Sequence, residues 1–173
     1  MEIIIRDAIG EDVYPIREIQ KQGWLETYPN QQFGITKQDI LEHFSEGDQA
    51  YKEKMERRRQ TINTDENQHV WVAEEEKKVI GFCIAQKGKE NRINAIYIRS
   101  AFHGKGVAKQ LMNTALQWIG SNQEIHIGVA TYNSRAIAFY EKFGFHKTNI
   151  IPHSDVAALP SGKVIPEIEM SNR

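Results

Sequence analysis

The stretch Ile98-Arg99-Ser100-Ala101-Phe102-His103-Gly104-Lys105-Gly106-Val107-Ala108-Lys109-Gln110-Leu111-Met112 constrains this chain more than any other. An apolar strand, Ile93 to Ile98, feeds a short turn that carries two glycines one residue apart. Helical periodicity begins at once, with Val107, Leu111, Ala115 and Trp118 on one face. Strand, glycine turn and helix N-terminus in direct succession gather unpaired backbone N–H groups at one point. The helix dipole also favours negative charge there. Such a junction suits a phosphate, and glycine lets backbone and ligand approach closely. The same glycines would serve a plain tight turn, so the stretch alone leaves both readings open.

The rest of the chain bounds the possibilities. With 173 residues, 40% hydrophobic and 26% charged, it reads as one soluble domain with a proper core. A formal net charge of −1 gives no basic footprint for nucleic acid or an anionic membrane. The N-terminus lacks the basic flank and cleavage pattern of a leader, and no apolar run reaches the length of a membrane span. The lone Cys83 excludes an internal disulfide and fits a reducing, cytoplasmic setting. The six histidines are scattered without zinc-site spacing, so no metal is expected.

Taken in order, Glu2 to Arg6 predicts a first strand, and Asp12 a cap for the first helix. Trp24-Leu25-Glu26-Thr27-Tyr28-Pro29-Asn30 ends that helix, and a loop runs to Gly34. Thr36, with Asp39 three residues on, predicts a capping box for a second helical region containing Ile40, Leu41 and Phe44. Beyond Gly47 the pattern turns polar. Arg57 to Arg59 there reads as a solvated helix face among glutamates rather than a nucleic-acid contact. Strands follow over 70–73, 79–85 and 92–98. In the middle one, Ile80, Phe82 and Ile84 share a face opposite the small residues Gly81, Cys83 and Ala85. Cys83 is therefore read as a core residue rather than a nucleophile. The helix after the glycine turn stops near Gly120. Ile125, Ile127 and Val129 alternate as a strand, and Asn133 or Ser134 caps a short helix that ends at Gly144. Strands over 145–151 and 164–170 flank a loop, with Pro166 delaying the last strand or placing it at an edge. This order predicts an α/β fold with about seven strands in a mixed sheet and about four helices on both faces.

Two segments carry the chemistry. One is His103-Gly104-Lys105-Gly106-Val107-Ala108. The other is Asn133-Ser134-Arg135-Ala136-Ile137-Ala138-Phe139-Tyr140-Glu141-Lys142-Phe143-Gly144-Phe145. Together they resemble the acyl-CoA-binding core of the GNAT superfamily of N-acetyltransferases. That family's motifs are Gln/Arg-x-x-Gly-x-Gly/Ala and, commonly, Asn-x-x-Ala-x-x-Phe-Tyr-x-x-x-Gly-Phe. The resemblance covers residues 70–147 well and the remainder by element order. It implies a splayed sheet, acetyl-CoA as co-substrate and N-acetyl transfer to an amine.

By that resemblance, backbone groups of His103, Gly104, Lys105, Gly106, Val107 and Ala108 hold the pyrophosphate. The edge of Ile96, Tyr97 and Ile98 pairs with the pantetheine arm and offers an N–H to the thioester oxygen. Asn133 bonds the arm or the sheet opening, or simply caps its helix. Tyr140 stands at the position of the proposed general acid for the leaving thiolate, or packs its helix on the sheet.

The chain departs from the family pattern twice. His103 stands at the Gln/Arg position, which keeps the loop's backbone donors and leaves a side-chain contact to phosphate open. Asn94 stands where many members carry a glutamate base, and it cannot take a proton at neutral pH. Water relayed by Asn94, Tyr97 or a carbonyl is one route for that proton, and Glu26 is another, so no base is assigned.

The acceptor is expected at Trp24, Glu26 and Tyr28, with Phe33, in a stretch similar to the spermidine/spermine branch of the family. Glu26, Asp39 or Glu42 would neutralise a cationic polyamine, aromatics would line its aliphatic parts, and the loop before the last strand would form the opposite wall. Trp24 and Tyr28 are equally readable as core under a loop. A small-amine enzyme, a protein N-acetyltransferase and a non-catalytic acyl-CoA-binding module all remain open. Pairing through C-terminal strands, common in the family, gives the expectation of a homodimer.

Overall fold

The computed structural model describes residues 2–45, 47–120, 122–148 and 158–173. The chain divides into two compact units, Met1–Gly23 with Glu46–Gln123, and Trp24–Ser45 with Glu124–Arg173. Among the described residues there are seven strands and five α-helices, in the expected mixed α/β class.

The first unit holds β1 (Ile3–Asp7), most of α1 (Val13–Thr27), α3 (Asp48–Thr61), β2 (Gln68–Glu75), β3 (Lys78–Gln86), β4 (Asn91–Ile98) and α4 (Val107–Ile119). Its strands run β1-β2-β3-β4, each neighbour antiparallel. Alternation builds the core: Val70, Val72, Val79 and Phe82 meet Ile16 and Ile19 of α1, with Ala95 and Tyr97 packed alongside. The opposite face of β3 is small, as expected. A methyl at Gly81 would stand 2.5 Å from Cδ1 of Ile98, its direct cross-strand partner. Cys83 is fully buried, and burial pushes its thiol up to about 12, which suits a packing role and not a nucleophile. Gly23 serves a second close approach. A methyl there would lie 2.5 Å from Cδ1 of Tyr97, whose ring stacks on Phe82 at 5.7 Å.

Three local readings change. Asp12 does not cap α1. It closes a 3-10 turn, Gly10–Asp12, by accepting the Ile9 N–H at 2.8 Å, and it pairs with Arg6 at 2.7 Å while Arg6 also holds Glu74. Glu74 lies 68 residues from Arg6, so local spacing could not reveal the whole network. The second helical region is two helices, α2 (Lys37–His43) and α3, because Phe44 ends the first and Gly47 starts the second. α3 buries Met55 and leaves Arg59 on a glutamate-laced face with Glu11 and Glu56. Trp118 is only half-buried on α4. It closes an aromatic group with His69 and Trp71, and Lys87 lies 4.3 Å from its ring centre.

The second unit holds α2, β5 (Ile125–Ala130), α5 (Ser134–Glu141), β6 (His146–Lys147) and β7 (Glu167–Ser171), with antiparallel order β5-β7-β6. Ile125, Ile127, Phe145, Ile165 and Met170 are buried in it. β7 begins after Pro166, as the missing donor requires. The strand read over 145–151 is short, and residues 149–151 lie outside the described residues, as does most of the loop read from Pro152. Its last part is a tight hairpin bridged between Ala158 and Val164. No helix among the described residues is long and apolar enough to cross a membrane.

Candidate active site

In the first unit the site is built by β4 and the turn after it. β4 carries a bulge. Ile84 pairs with Ala95 and Ala85 with Ile93, leaving Asn94 as an extra residue. Asn94 is exposed and its amide donates to Gln86 Oε1 at 3.3 Å. Ile96, Tyr97 and Ile98 follow, each half-buried. A 3-10 turn, Ser100–Phe102, leads into the glycines.

Gly104 (φ 77°) and Gly106 (φ 80°) both occupy the left-handed region, and a Cβ at either would meet nothing within 4 Å. Only glycine adopts this conformation without strain, and the space before it is open. Gly106 is the N-cap of α4, and the first N–H bonded back to it is that of Gln110, at 3.1 Å. The N–H groups of Val107, Ala108 and Lys109 thus precede the helix's own ladder. His103 and Lys105 spend theirs inside the turn, on Ser100 and Phe102 carbonyls. The His103 ring folds back, with Nε2 3.0 Å from the Ile98 carbonyl. The donors ahead of the helix ladder are therefore those of Val107 to Lys109, and the His103 side chain ties the turn to the end of β4. Buried Val107, Leu111, Met112 and Ala115 fix α4 behind the turn.

In the second unit Asn133 caps α5, its Oδ1 accepting the Ala136 N–H at 3.1 Å. That bond accounts for the cap reading and leaves the amide nitrogen for other partners. Tyr140, the penultimate residue of α5, is only 8% exposed, with ring neighbours Phe139 at 5.5 Å and Phe145 at 6.3 Å.

The expected acceptor residues divide by burial. Trp24 is 3% exposed, in an aromatic group with His43 stacked at 4.5 Å and Tyr28 and Phe44 edge-on. Its indole nitrogen has no hydrogen-bond partner among the described residues. Tyr28 is half-buried and Glu26 exposed. Asp39 is already engaged. It forms the expected capping box with Thr36 and holds Lys163 at 2.8 Å. Lys163, then Thr36 and Ser161, keep its carboxyl far below the ordinary range. It is unavailable to an amine while these contacts stand. Glu26 and Glu42 are exposed in that segment, Glu42 accepting from the Gln38 amide at 3.1 Å.

The Asp39 contacts give a pH signature. A depressed native pKa contributes stability above the unfolded carboxylate value, about 3.9, and that stability is lost as pH falls below it. Asp39→Asn should therefore melt lower than the native protein at pH 7, with the gap closing as pH falls below about 4. Thermal melts across that window check this, and a pH-independent gap refutes it.

Tyr132, which no motif of the sequence marks, makes two contacts in this unit. Its hydroxyl donates to the Tyr28 carbonyl at 2.8 Å, and its ring stacks on Phe33 at 5.5 Å.

A family model described as Acetyltransferase (GNAT) family matches residues 20–145. Human N-acetyltransferase 8 is 31% identical over 87 residues, covering 45% of this chain and 38% of that protein. An uncharacterised N-acetyltransferase of Mycobacterium tuberculosis (strain H37Rv) is 28% identical over 88 residues, covering 47% of this chain and 55% of its own. The chain thus spans about half, or less, of the length of these curated relatives. Among solved structures, the PaiA N-acetyltransferase from Thermoplasma acidophilum in complex with coenzyme A superposes with a TM-score of 0.72. It is 21% identical and covers 99% of this chain and 98% of that one.

Proposed function

Because the chain belongs to the GNAT acetyltransferase family, we propose that it moves an acetyl group from acetyl-CoA to a primary amine of a small molecule, with polyamines as the leading class. The observation that carries this reading is the turn at Gly104 and Gly106. Left-handed glycines there open a side-chain-free space before the unladdered N–H groups of α4. Such a donor cluster fits a diphosphate.

Acetyl-CoA supplies an activated acyl thioester. The chain's part is to hold and to move protons. Backbone N–H groups from Gly106 to Lys109 grip the diphosphate. The Ile96–Ile98 edge offers backbone groups to the pantetheine amides and one N–H to the carbonyl oxygen as charge develops on it. As the amine nitrogen bonds to the acyl carbon and the carbon–sulfur bond breaks, Tyr140 gives its phenolic proton to the departing sulfur, and the proton shed by the new amide nitrogen restores the phenol. The amine must arrive deprotonated. Asn94 cannot serve, so a water beside Asn94 or Tyr97, or the exposed carboxylate of Glu26, is left to take that proton.

A thiol-release screen of polyamines, amino acids, aminoglycosides and peptides tests this. Release with a small amine is the expected result. Release with peptides alone assigns a protein substrate. Acetyl-CoA binding with no release from any amine identifies a binding module.

A further inference from the structure

The turn after α1 is braced within itself. Asn30 and Ile35 exchange backbone hydrogen bonds at 2.8 and 3.0 Å, the Gly34 N–H reaches the Gln31 carbonyl, and Asn30 Oδ1 accepts from Gln32. Gly34 supplies the positive φ, 64°, that such a tight return needs. Phe33 therefore stands at the tip of a small rigid hairpin and Tyr28 at its base. One side chain from elsewhere in this unit meets both. The Tyr132 hydroxyl bonds the Tyr28 carbonyl, and its ring lies nearly parallel to that of Phe33, at 23°. Tyr132 immediately precedes Asn133, the cap of the helix that carries Tyr140.

We propose that Tyr132 is a positioning residue for the acceptor amine, clasping the Tyr28–Phe33 hairpin to the start of α5 so that the hairpin forms a fixed wall of the acceptor site. This rests on the acetyltransferase reading given above. Two attachments to one ring, at the base and the tip, remove the freedom of the hairpin to rock about its ends. The wall so held is aromatic, with Phe33 39% exposed, which suits an alkylammonium chain sliding along ring faces. Burial, with Tyr28 and Glu167 nearby, pushes the Tyr132 phenol up to about 12, so it remains a donor throughout the range in which an amine would be acetylated.

Tyr132→Phe keeps the ring and removes only the hydroxyl. With the small amine that the native protein turns over fastest in the thiol-release screen, KM for the amine should rise about fivefold, kcat should stay within about twofold, and the acetyl-CoA dissociation constant should be unchanged. Phe33→Leu, which breaks the other attachment from the opposite side, should move the same parameter. Amide exchange at Gly34 and Ile35 should quicken in both variants while that of α4 stays as it was. An unchanged amine KM in both variants overturns the assignment and leaves the transferase reading intact. No thiol release with any amine by the native protein overturns that reading, and the assignment with it.

Discussion

Tyr140→Phe should lower acetyl-transfer turnover on the order of 100-fold, the low end of what a positioned general acid contributes. The substitution is well suited to this purpose. The ring of Tyr140 packs against Phe139 and Phe145 on a buried face of α5, and phenylalanine preserves those contacts. Only the proton donor is lost. Affinity for acetyl-CoA should shift no more than about threefold, the worth of one modest hydrogen bond. Steady-state thiol release beside calorimetric titration separates the two quantities. Equal turnover in the two proteins would sink the acid role and leave Tyr140 as a packing ring.

Gly106→Val should weaken acetyl-CoA binding, also on the order of 100-fold, or about 2.7 kcal/mol. Two contributions of similar size add up to this. A left-handed conformation costs an ordinary L-residue about 1–2 kcal/mol, and a β-branched one is worse placed still. A side chain also enters the open space before the helix N–H groups, where charge-assisted bonds of about 1.5–3 kcal/mol each would form. The control is Gly120→Ala. Gly120 also has a positive φ, 111°, but stands at the other end of α4. It should lower the melting temperature and leave acetyl-CoA affinity alone. If Gly106→Val binds as tightly as the native protein, the turn is a turn and nothing more.

What could be read in advance was what local pattern encodes. The strand, glycine turn and helix at residues 93–119 fold as their spacing requires, since positive φ and a 3.6-residue stripe are both written into consecutive residues. The Thr36–Asp39 capping box is equally local. The misread features are non-local. Arg6, which holds Asp12, answers to Glu74, 68 residues away, and Asp39 to Lys163, 124 residues away. Tyr132 lies 104 residues from Tyr28 and has no motif of its own. The inward turn of His103 follows from a carbonyl left at the end of β4, which spacing does not display. Sequence located the glycine turn and the helix of Tyr140 as segments. Which donors remain open, and which carboxylates are already committed, depends on partners that only the folded chain brings near.

The extra residue in β4 has a further effect, on parity. Side chains in a strand alternate with period two, so one unmatched residue reverses odd and even on either side of it. Ala95 and Tyr97 follow Ile84 and Phe82 to one face, whereas Ile93 follows Ala85 to the other. Read as a plain alternation, residues 93, 95 and 97 would share a side, but in the folded chain they do not. Deleting Asn94 would set Ile93 directly before Ala95, so that Ala85 and Ile84 would face consecutive residues in an unbroken ladder while both halves of β4 keep their faces. Removal of this one residue is therefore compatible with the pairing, and exchange of the residue itself is cheap, because position 94 has no partner in the ladder to lose. A carboxylate could be installed there without disturbing the sheet.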